Sequence, residues 1–463
     1  MTGTDGLPSI DGPGLAEDYD VAIVGASLAG CAAATLLGRA GRRVAVLESH
    51  TDPCAYKRIC TTVILPSTVP TLQRLGLDQE IEAAGGVRIG AQLWTRWGWI
   101  RSKPPEQEEE AFHGYDIRRE KLDPMVRRLA ASTPGVELLL GHNVREVLRS
   151  PSGRVVGVRA ERQDGSLRDV TARLVVAADG RNSSVAKSAG VRAWTVRRHD
   201  RAVYFAFYRN VSLPGPGNAH LWFLEPDVAY AFPHDDNLFI LACMFTKDKL
   251  PAFKRDIESN FVRFLQAVPE FARFDPADRV SRVFGLTDHP NTWRRRPPPG
   301  LAFIGDAAVS ADYLWGVGCG WAFRSAEWLA DAARDSFTSD REIDAAVRRY
   351  RRTLRKELAG HFLLISDYST GRPFNPIEKL MFSAAARDER LAGHVARFGA
   401  RAMPVRKFLA PTAIARAVRV HVRPPPRAAE GNMQERPPDA GATHPGSTTG
   451  HRPFAATRRG ERT

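Results

Sequence analysis

The amino-acid sequence predicts an α/β protein in which a parallel sheet alternates with a β-rich part and is followed by a helical region. Three observations support this fold class. A strand, a glycine turn, a helix and a second strand lie between residues 19 and 48. Short apolar or alternating runs, typical of strands, fill the middle of the chain. Apolar residues at helical spacing dominate residues 341–420.

The first unit is a βαβ pattern around the stretch VAIVGASLAG. Its turn reads G-x-S-x-x-G through Gly25, Ser27 and Gly30, and Glu48 closes the second strand. In a dinucleotide site the glycines allow a tight turn and close helix packing, the helix N-terminus faces a pyrophosphate, and the acid accepts hydrogen bonds from ribose. Serine is small and its hydroxyl can donate to phosphate. The unit therefore predicts a dinucleotide site without indicating which dinucleotide.

The remaining elements follow from the same periodicities. Strands are predicted at 19–24, 43–48, 86–100, 136–140, 155–160, 173–177, 203–208, 220–224, 228–232, 238–245 and in LAFIGDAA from Leu301; helices are predicted at 29–40, 320–337, 341–361 and across 376–420. Residues 1–18 are rich in Gly, Pro and Asp, and residues 422–463 contain almost no large apolar side chains. Both ends are therefore predicted to be disordered.

The net charge of +14 is concentrated near the C-terminus of the 463-residue chain. Residues 341–421 contain 17 Lys and Arg against 7 Asp and Glu. We interpret this excess as a solvated helix surface, because no nucleic-acid-binding motif accompanies it. Nucleic acid is therefore not a predicted partner, whereas peripheral contact with a membrane stays open.

The five cysteines are Cys31, Cys54, Cys60, Cys243 and Cys319, and none forms a C-x-x-C pair. An odd number without paired spacing argues against a disulfide framework and predicts no metal site. The N-terminus lacks the basic start and apolar core of a signal peptide. The uncharged run 21–38 is better explained as strand, turn and helix than as a membrane span. We therefore expect a cytoplasmic protein without an integral membrane segment.

Two later stretches indicate the cofactor. LVVAADGRNSSVAKSAGV, from Leu174, is a strand that ends in Asp179 and Gly180. LAFIGDAAVSADYLWGVGCGW, from Leu301, is a strand that ends in Asp306, followed by a glycine-rich helix start at Gly318, Cys319 and Gly320. A carboxylate at such a strand end can bind a ribityl hydroxyl. Backbone N–H groups at the helix start would stabilise the negative charge of a reduced isoalloxazine.

With these three ordered motifs, residues 19–337 resemble the FAD-dependent group A monooxygenases, the para-hydroxybenzoate hydroxylase-like flavoproteins. The resemblance implies a Rossmann-like FAD-binding domain interleaved with a β-rich substrate domain, FAD as cofactor and NAD(P)H as electron donor. It also implies that O2 adds to the flavin C4a position as a hydroperoxide, which passes one oxygen to substrate carbon. It places Arg58 near the FAD pyrophosphate, Arg119 along the cofactor, and Asp179 and Asp306 in the D-G and G-D motifs.

The chain departs from this family at several positions. Ala186 stands where the family has an arginine after the D-G motif, which puts nicotinamide handling by that motif in doubt. Val309 replaces a histidine, and Asp312-Tyr313 replaces a pair of prolines. The family's Asn after Gly-x-Gly is Gly320 here. The variant loop is similar to that of flavin-dependent halogenases and geranylgeranyl reductases, and it places Tyr313 beside the flavin as the candidate catalytic residue.

Candidate substrate contacts come from the aromatic strands. Tyr204, Trp222 and His234 are selected as substrate-binding residues, with His220, Tyr230 and the tryptophans of segment 94–99 as further candidates. Aromatic residues at alternate strand positions also occur as ordinary core, so both interpretations stay open. The aromatic content favours a flat or lipophilic small molecule.

The domain prediction assigns 19–59, 111–190 and 294–337 to the FAD-binding domain, 60–110 and 191–293 to the substrate domain, and 338–421 to a C-terminal helical region. The expected function is hydroxylation or epoxidation of an aromatic or lipophilic compound in bacterial specialised metabolism, such as antibiotic biosynthesis. A reductase, dehydrogenase or halogenase-like enzyme of the same fold is the alternative. A non-catalytic binding module acting through residues 341–463 is the third hypothesis.

Overall fold

The computed structural model describes residues 19–102, 112–195, 199–215 and 219–422. Segment 1–18 and the tail from 423 onward, both predicted to be disordered, lie outside the described residues. The strands are β1 (Tyr19–Val24), β2 (Val44–Glu48), β3 (Val63–Ile64), β4 (Val87–Ile89), β5 (Ala91–Thr95), β6 (Gly98–Ile100), β7 (Gly114–Asp116), β8 (Val136–Leu140), β9 (Asn143–Arg149), β10 (Val155–Glu161), β11 (Leu167–Ala177), β12 (Ala193–Thr195), β13 (Arg201–Tyr208), β14 (Ala219–Phe223), β15 (Val228–His234), β16 (Leu238–Thr246), β17 (Phe284–Leu286), β18 (Thr292–Arg294), β19 (Leu301–Phe303) and β20 (Val309–Ser310).

The helices alternate with these strands and then fill the C-terminal region. They are α1 (Leu28–Arg39), α2 (Val69–Leu75), α3 (Leu77–Ala83), α4 (Arg119–Ala131), α5 (Ser184–Ser188), α6 (Leu250–Phe253), α7 (Ile257–Gln266), α8 (Val317–Ala333), α9 (Asp340–Tyr368), α10 (Pro376–Ala385), α11 (Glu389–Gly399), α12 (Val405–Phe408) and α13 (Pro411–Val422). Short 3₁₀ turns lie at Pro66–Thr68, Asp235–Asn237, Lys247–Lys249, Pro276–Asp278, Gly305–Ala307 and Tyr313–Trp315.

The first sheet has the strand order β8-β2-β1-β11-β10-β9, with β19 paired to β11. Strands β8, β2, β1, β11 and β19 run parallel, whereas β10 and β9 form an antiparallel extension. The central strands are continuous runs of Val, Ile, Leu and Ala, because helices α1, α4 and α8 pack together beside them. The carboxyl ends of β1, β11 and β19 therefore lie side by side, and each carries one of the three motifs.

The second sheet has the order β17-β13-β16-β15-β14-β5-β6 and is mostly antiparallel. One face packs against α6 and α7 through Phe253, Phe261 and Leu265. The other face packs against the 3₁₀ turn Tyr313–Trp315 and against α10 to α13. Side chains alternate between the two faces along each strand, so neighbouring residues of one strand belong to different cores.

Two small sheets, β3-β7-β4 and β12-β18-β20, complete the predicted α/β architecture. The segment 86–100, predicted as one strand, is three short strands because glycine-containing turns interrupt it. Sequence periodicity did not predict α4, which is rich in charged residues. Among the described residues, no helix is long and apolar enough to cross a membrane.

The C-terminal helices are held on the second sheet by an aromatic cluster. The ring of Phe382 in α10 lies 4.7 Å from that of Phe374 and 6.0 Å from that of Phe223 in β14. All three side chains are buried. The buried faces of the C-terminal helices are thus part of the core beside the second sheet.

Phe382→Ala is expected to lower the free energy of unfolding by about 3–5 kcal/mol, because it removes a buried aromatic ring and leaves a cavity. Chemical denaturation followed by circular dichroism measures the change. Ile377→Ala is the control on the same helix, since Ile377 is 47% exposed, and it should change stability by less than about 0.5 kcal/mol. Equally small changes in the free energy of unfolding for both substitutions would show that the C-terminal helices are only loosely packed on the second sheet.

Candidate functional site

The glycine turn after β1 is shaped by close backbone packing. Gly25 has a φ of +104°, and a Cβ there would lie 2.6 Å from the carbonyl oxygen of Ala178. A Cβ on Gly30 would lie only 1.9 Å from the carbonyl oxygen of Gly25. Both distances are much shorter than a van der Waals contact, so a side chain at either position would clash. Glycine is therefore required at both positions for the turn to pass between β11 and α1.

Glu48 lies at the end of β2, directly beside this turn. Its Oε2 accepts a hydrogen bond from the Ala26 N–H at 2.9 Å. Its Oε1 accepts from the His50 N–H and the Ser49 hydroxyl, both at 3.0 Å. The carboxylate is thus held in place at the adjacent strand end, where a dinucleotide ribose would lie.

Ser27 is held by a buried ion pair on α4. The Arg119 guanidinium donates to Ser27 Oγ at 2.8 Å and lies 2.6 Å from Asp123 Oδ1. Asp123 Oδ2 also accepts from the Lys57 backbone N–H at 2.9 Å. Burial opposes the charge of Arg119, but Asp123 raises the pKa of Arg119 above its ordinary value. The serine hydroxyl at the turn is therefore a partner of the arginine that the resemblance assigned to the cofactor.

Sequence reasoning missed Asp123 and Arg127. Arg127 donates from Nε to the Ala26 carbonyl at 3.0 Å and from Nη2 to the Ala55 carbonyl at 2.9 Å. Residues 119, 123 and 127 are four apart, which places them on one helix face. That spacing in RREKLDPMVRR was the signal that could have found them.

Asp306 forms an ion pair with Lys57 and not with Arg58. The Lys57 Nζ lies 3.3 Å from Asp306 Oδ2. Burial by itself would raise the pKa of Asp306. The charges of Lys57 and His289 outweigh burial and lower this pKa below its ordinary value. Arg58, predicted at the pyrophosphate, is exposed. The positive charge in this loop that reaches the G-D motif is the neighbouring lysine.

Asp179 lies at the end of β11, next to Gly25. Its Oδ2 accepts hydrogen bonds from the Ser184 hydroxyl and the Val185 N–H, both at 3.1 Å, so it caps α5. Its Oδ1 is buried and has no hydrogen-bond partner among the described residues.

The N-terminus of α8 brings two cysteines together. Cys319 Sγ lies 3.8 Å from Cys60 Sγ, although the residues are 259 positions apart. The hydrogen bond to Cys319 lowers the pKa of the Cys60 thiol. Burial opposes this effect, and the charge of Arg119 adds to it. A Cβ on Gly318 would meet no atom within 4 Å, whereas one on Gly320 would lie 2.6 Å from Thr68 Oγ1. The helix start is therefore open at Gly318 and packed at Gly320.

Tyr313 is surrounded by two histidines that sequence reasoning did not select. Its ring centroid lies 5.4 Å from that of His199 and 5.7 Å from that of His289. His199 Nε2 lies 2.7 Å from the buried Asp312 Oδ2. Burial, together with the charge of Arg181, lowers the pKa of His289 to about 4. The cluster thus combines a phenol, a neutral imidazole and an imidazole–carboxylate pair beside the G-D motif.

The structure separates the predicted substrate residues. Tyr204 and Trp222 lie on the face of the second sheet that packs against α6 and α7. The ring centroid of Trp222 lies 4.6 Å from that of Phe271 on the same face. Side-chain alternation puts them on the face away from Tyr313, so they lie in the core there. His234 lies on the Tyr313 face, with Nε2 3.2 Å from Asp116 Oδ1. Burial lowers the pKa of His234 to about 3 and raises that of Asp116 well above its ordinary value.

A group of mostly buried aromatic side chains packs on the Tyr313 face of the second sheet. The ring centroids of Tyr230 and Phe232 lie 4.7 Å apart, and those of Phe205 and Phe284 lie 5.3 Å apart. We call these four residues the aromatic wall. They lie on β13, β15 and β17, and Phe205 directly follows Tyr204 on β13. Sequence analysis recognised the strands, and the choice of phase was the missing information.

Several features of this site fit FAD. The acid beside the glycine turn, the Asp306 carboxylate and the open helix start at Gly318 lie along the edge where the parallel strands end. Ligands of open α/β sheets bind outside the carboxyl ends of the strands.

Comparison with known proteins agrees with this arrangement. The family model described as the FAD binding domain matches residues 18–226. The chain is 23% identical to digeranylgeranylglycerophospholipid reductase of Picrophilus torridus over 73% of this chain and 83% of that protein. It is 32% identical to menaquinone reductase of Mycobacterium tuberculosis, over 41% of this chain and only 43% of that protein.

Solved structures share the fold over most of this chain. The flavin-dependent brominase Bmp2 aligns with a TM-score of 0.69 at 19% identity, over 87% of this chain and 98% of that chain. p-Nitrophenol 4-monooxygenase PnpA of Pseudomonas putida aligns with a TM-score of 0.64 at 21% identity, over 82% and 98%. At identities this low, the structural similarity establishes the fold alone, and the activity has to be argued from the site.

Asp306→Ala is expected to yield folded protein that binds FAD at least about tenfold more weakly, because a hydrogen bond to a charged group is lost. Titration of apoprotein with FAD, followed by flavin fluorescence, measures this affinity. Asp335→Ala is the matched control, since the side chain of Asp335 is 85% exposed and far along the chain from the motif. Unchanged FAD affinity in Asp306→Ala would contradict the cofactor assignment of this carboxylate.

Proposed function

We propose that this FAD-dependent oxidoreductase is a monooxygenase that uses NAD(P)H and O2 to hydroxylate or epoxidise an aromatic or lipophilic small molecule. The single observation that supports this most is the position of Tyr313. It extends from the loop after the G-D motif and packs with the apolar face of the second sheet that carries the aromatic wall. A flat or lipophilic substrate between that wall and a bound flavin would lie in a site shielded from water.

FAD, when bound, would supply the redox chemistry with oxygen. Glu48, Arg119, Asp179 and Asp306 are the residues that would hold it. The chain's own contribution is to bind, to orient and to exclude water. The aromatic wall makes this face of the sheet apolar, and an apolar substrate would gain about 25 cal/mol per Å² of its own apolar surface that is removed from water.

Proton transfer is assigned to the cluster around Tyr313. Burial and the nearby Asp312 raise the pKa of Tyr313 well above its ordinary value, so its hydroxyl remains a donor at neutral pH. The lowered pKa of His289 keeps its imidazole uncharged and able to accept a proton at neutral pH. We assign Asp312 the role of orienting His199, because it accepts from that imidazole and from the Leu314 N–H at 2.9 Å. Together these groups can hold or remove a proton on a phenol-like substrate.

A reductase is the second candidate function. The observation in its favour is the similarity to the reductase of Picrophilus torridus over most of both chains. The loop Asp312-Tyr313-Leu314 differs from the monooxygenase pattern. It is the part of the site where a reductase would differ from a monooxygenase. Ala186, buried and donating its N–H to Ser183 Oγ at 2.9 Å, cannot supply the positive charge that the family has at that position.

Incubation with NADPH and a panel of aromatic and polyene compounds separates the two functions. NADPH should bleach the flavin absorption without air, and labelled dioxygen should place one labelled oxygen atom in the product. A saturated, unlabelled product formed in the absence of air would establish the reductase instead. Flavin that is reduced and reoxidised without altering any compound that the protein binds would contradict both.

Tyr313→Phe is expected to lower kcat about 10–100-fold with a smaller effect on KM, because it removes a proton donor and keeps the ring. In the parent protein this tyrosine should produce no loss of activity below about pH 10, its ordinary pKa. Tyr208→Phe is the control, because Tyr208 is equally a buried tyrosine but lies on the opposite face of the sheet. Steady-state kinetics across pH tests both; equal kcat values for the two variants would argue against a role for the Tyr313 hydroxyl.

A further inference from the structure

A cavity of about 370 Å³ is lined by none of the candidate flavin or substrate residues. It is bounded by β18 and the segment after it, by β19, and by the middle of α9. Seven arginines line it: the consecutive residues 294–296, and Arg348, Arg351, Arg352 and Arg355 of α9. We call them the arginine cluster. No residue assigned to the cofactor or substrate site belongs to it.

Helix geometry and packing create this convergence. The α9 arginines are spaced 0, 3, 4 and 7 positions apart, so they project from one helix face. Tyr350 is buried below them, and its hydroxyl donates to the Phe303 carbonyl of β19 at 2.7 Å. That bond fixes the helix against the strand end. The three consecutive arginines after Trp293 then face the helix across the cavity.

The arginine cluster has little counter-charge, and the carboxylate of Asp179 acts on one of its members, Arg294. Within the described part of the chain, no carboxylate lines the cavity and none forms an ion pair with any of the seven guanidinium groups. Arg351 Nη1 is buried without a hydrogen-bond partner among those residues. Burial, and the charges of Arg296 and Arg355, lower the pKa of Arg351 below its ordinary value. Like charges held this close repel one another unless an anion lies between them.

We propose that this cavity binds the phosphate groups of an organic diphosphate, either a nucleotide or a phosphorylated substrate. Guanidinium groups bind phosphate oxygens bidentately, and all the basic residues that line the cavity are arginines. The volume falls in the range of about 300–1,000 Å³ that is typical of small-molecule sites. Trp293 and Phe303 add an apolar wall for the organic part of the ligand.

The cavity is connected to the flavin motifs through Arg294. Its Nε donates to the Ala307 carbonyl at 3.1 Å, next to Asp306. Its Nη2 donates to the Arg181 carbonyl at 3.2 Å, next to the D-G motif. A phosphate ligand that attracts Arg294 therefore acts on the two strand-end turns. The inference does not depend on whether the enzyme uses oxygen.

Calorimetric titration of the full-length holoprotein with inorganic pyrophosphate tests the proposal. We expect saturable binding to the parent protein and at least about tenfold weaker binding to the double variant Arg351→Glu with Arg355→Glu, because several charge-assisted hydrogen bonds are lost. The control double variant, Arg341→Glu with Arg390→Glu, has the same change in charge at exposed positions outside the cavity. Flavin content and thermal unfolding confirm that both variants are folded.

Displacement experiments identify the source of the phosphate. ADP and dimethylallyl diphosphate are added separately to the pyrophosphate-bound protein. Displacement by ADP alone assigns the site to a nucleotide, and displacement by dimethylallyl diphosphate alone assigns it to a phosphorylated substrate. The proposal is overturned by no saturable binding to the parent protein, by equal loss in both double variants, or by displacement with neither compound.

Discussion

The buried ion pair between Arg119 and Asp123 is the interaction on which the candidate cofactor site depends. Arg119 binds the serine of the glycine turn, and Asp123 binds the backbone of Lys57, which in turn pairs with Asp306. One helix face thereby joins the first and last motifs. Removing one member of such a buried pair typically costs about 3–5 kcal/mol, because the other charge is left without a partner. Through Arg119 the pair also binds the hydroxyl of Ser27, which stands where glycine is usual.

The second sheet divides its side chains between two functions. One alternation phase, including Tyr204 and Trp222, fills a core against α6 and α7. The other phase forms the aromatic wall beside Tyr313, and the C-terminal helices cover the rest of that face. The basic C-terminal region is therefore structural on its sheet-facing side. Part of its charge, on α9, converges on a separate cavity.

Features that arise from local backbone geometry could be predicted from the amino-acid order alone. The βαβ unit, the glycines at 25 and 30, the acid at Glu48 and the strand-end aspartates could be placed, because parallel strands present their carboxyl ends to one edge. The positive charge paired with Asp306, the face used by each aromatic residue, and the contacts between Cys60 and Cys319 or within the arginine cluster were decided by tertiary structure. They join segments far apart in the chain, and strand or helix periodicity does not say which neighbour each face will meet.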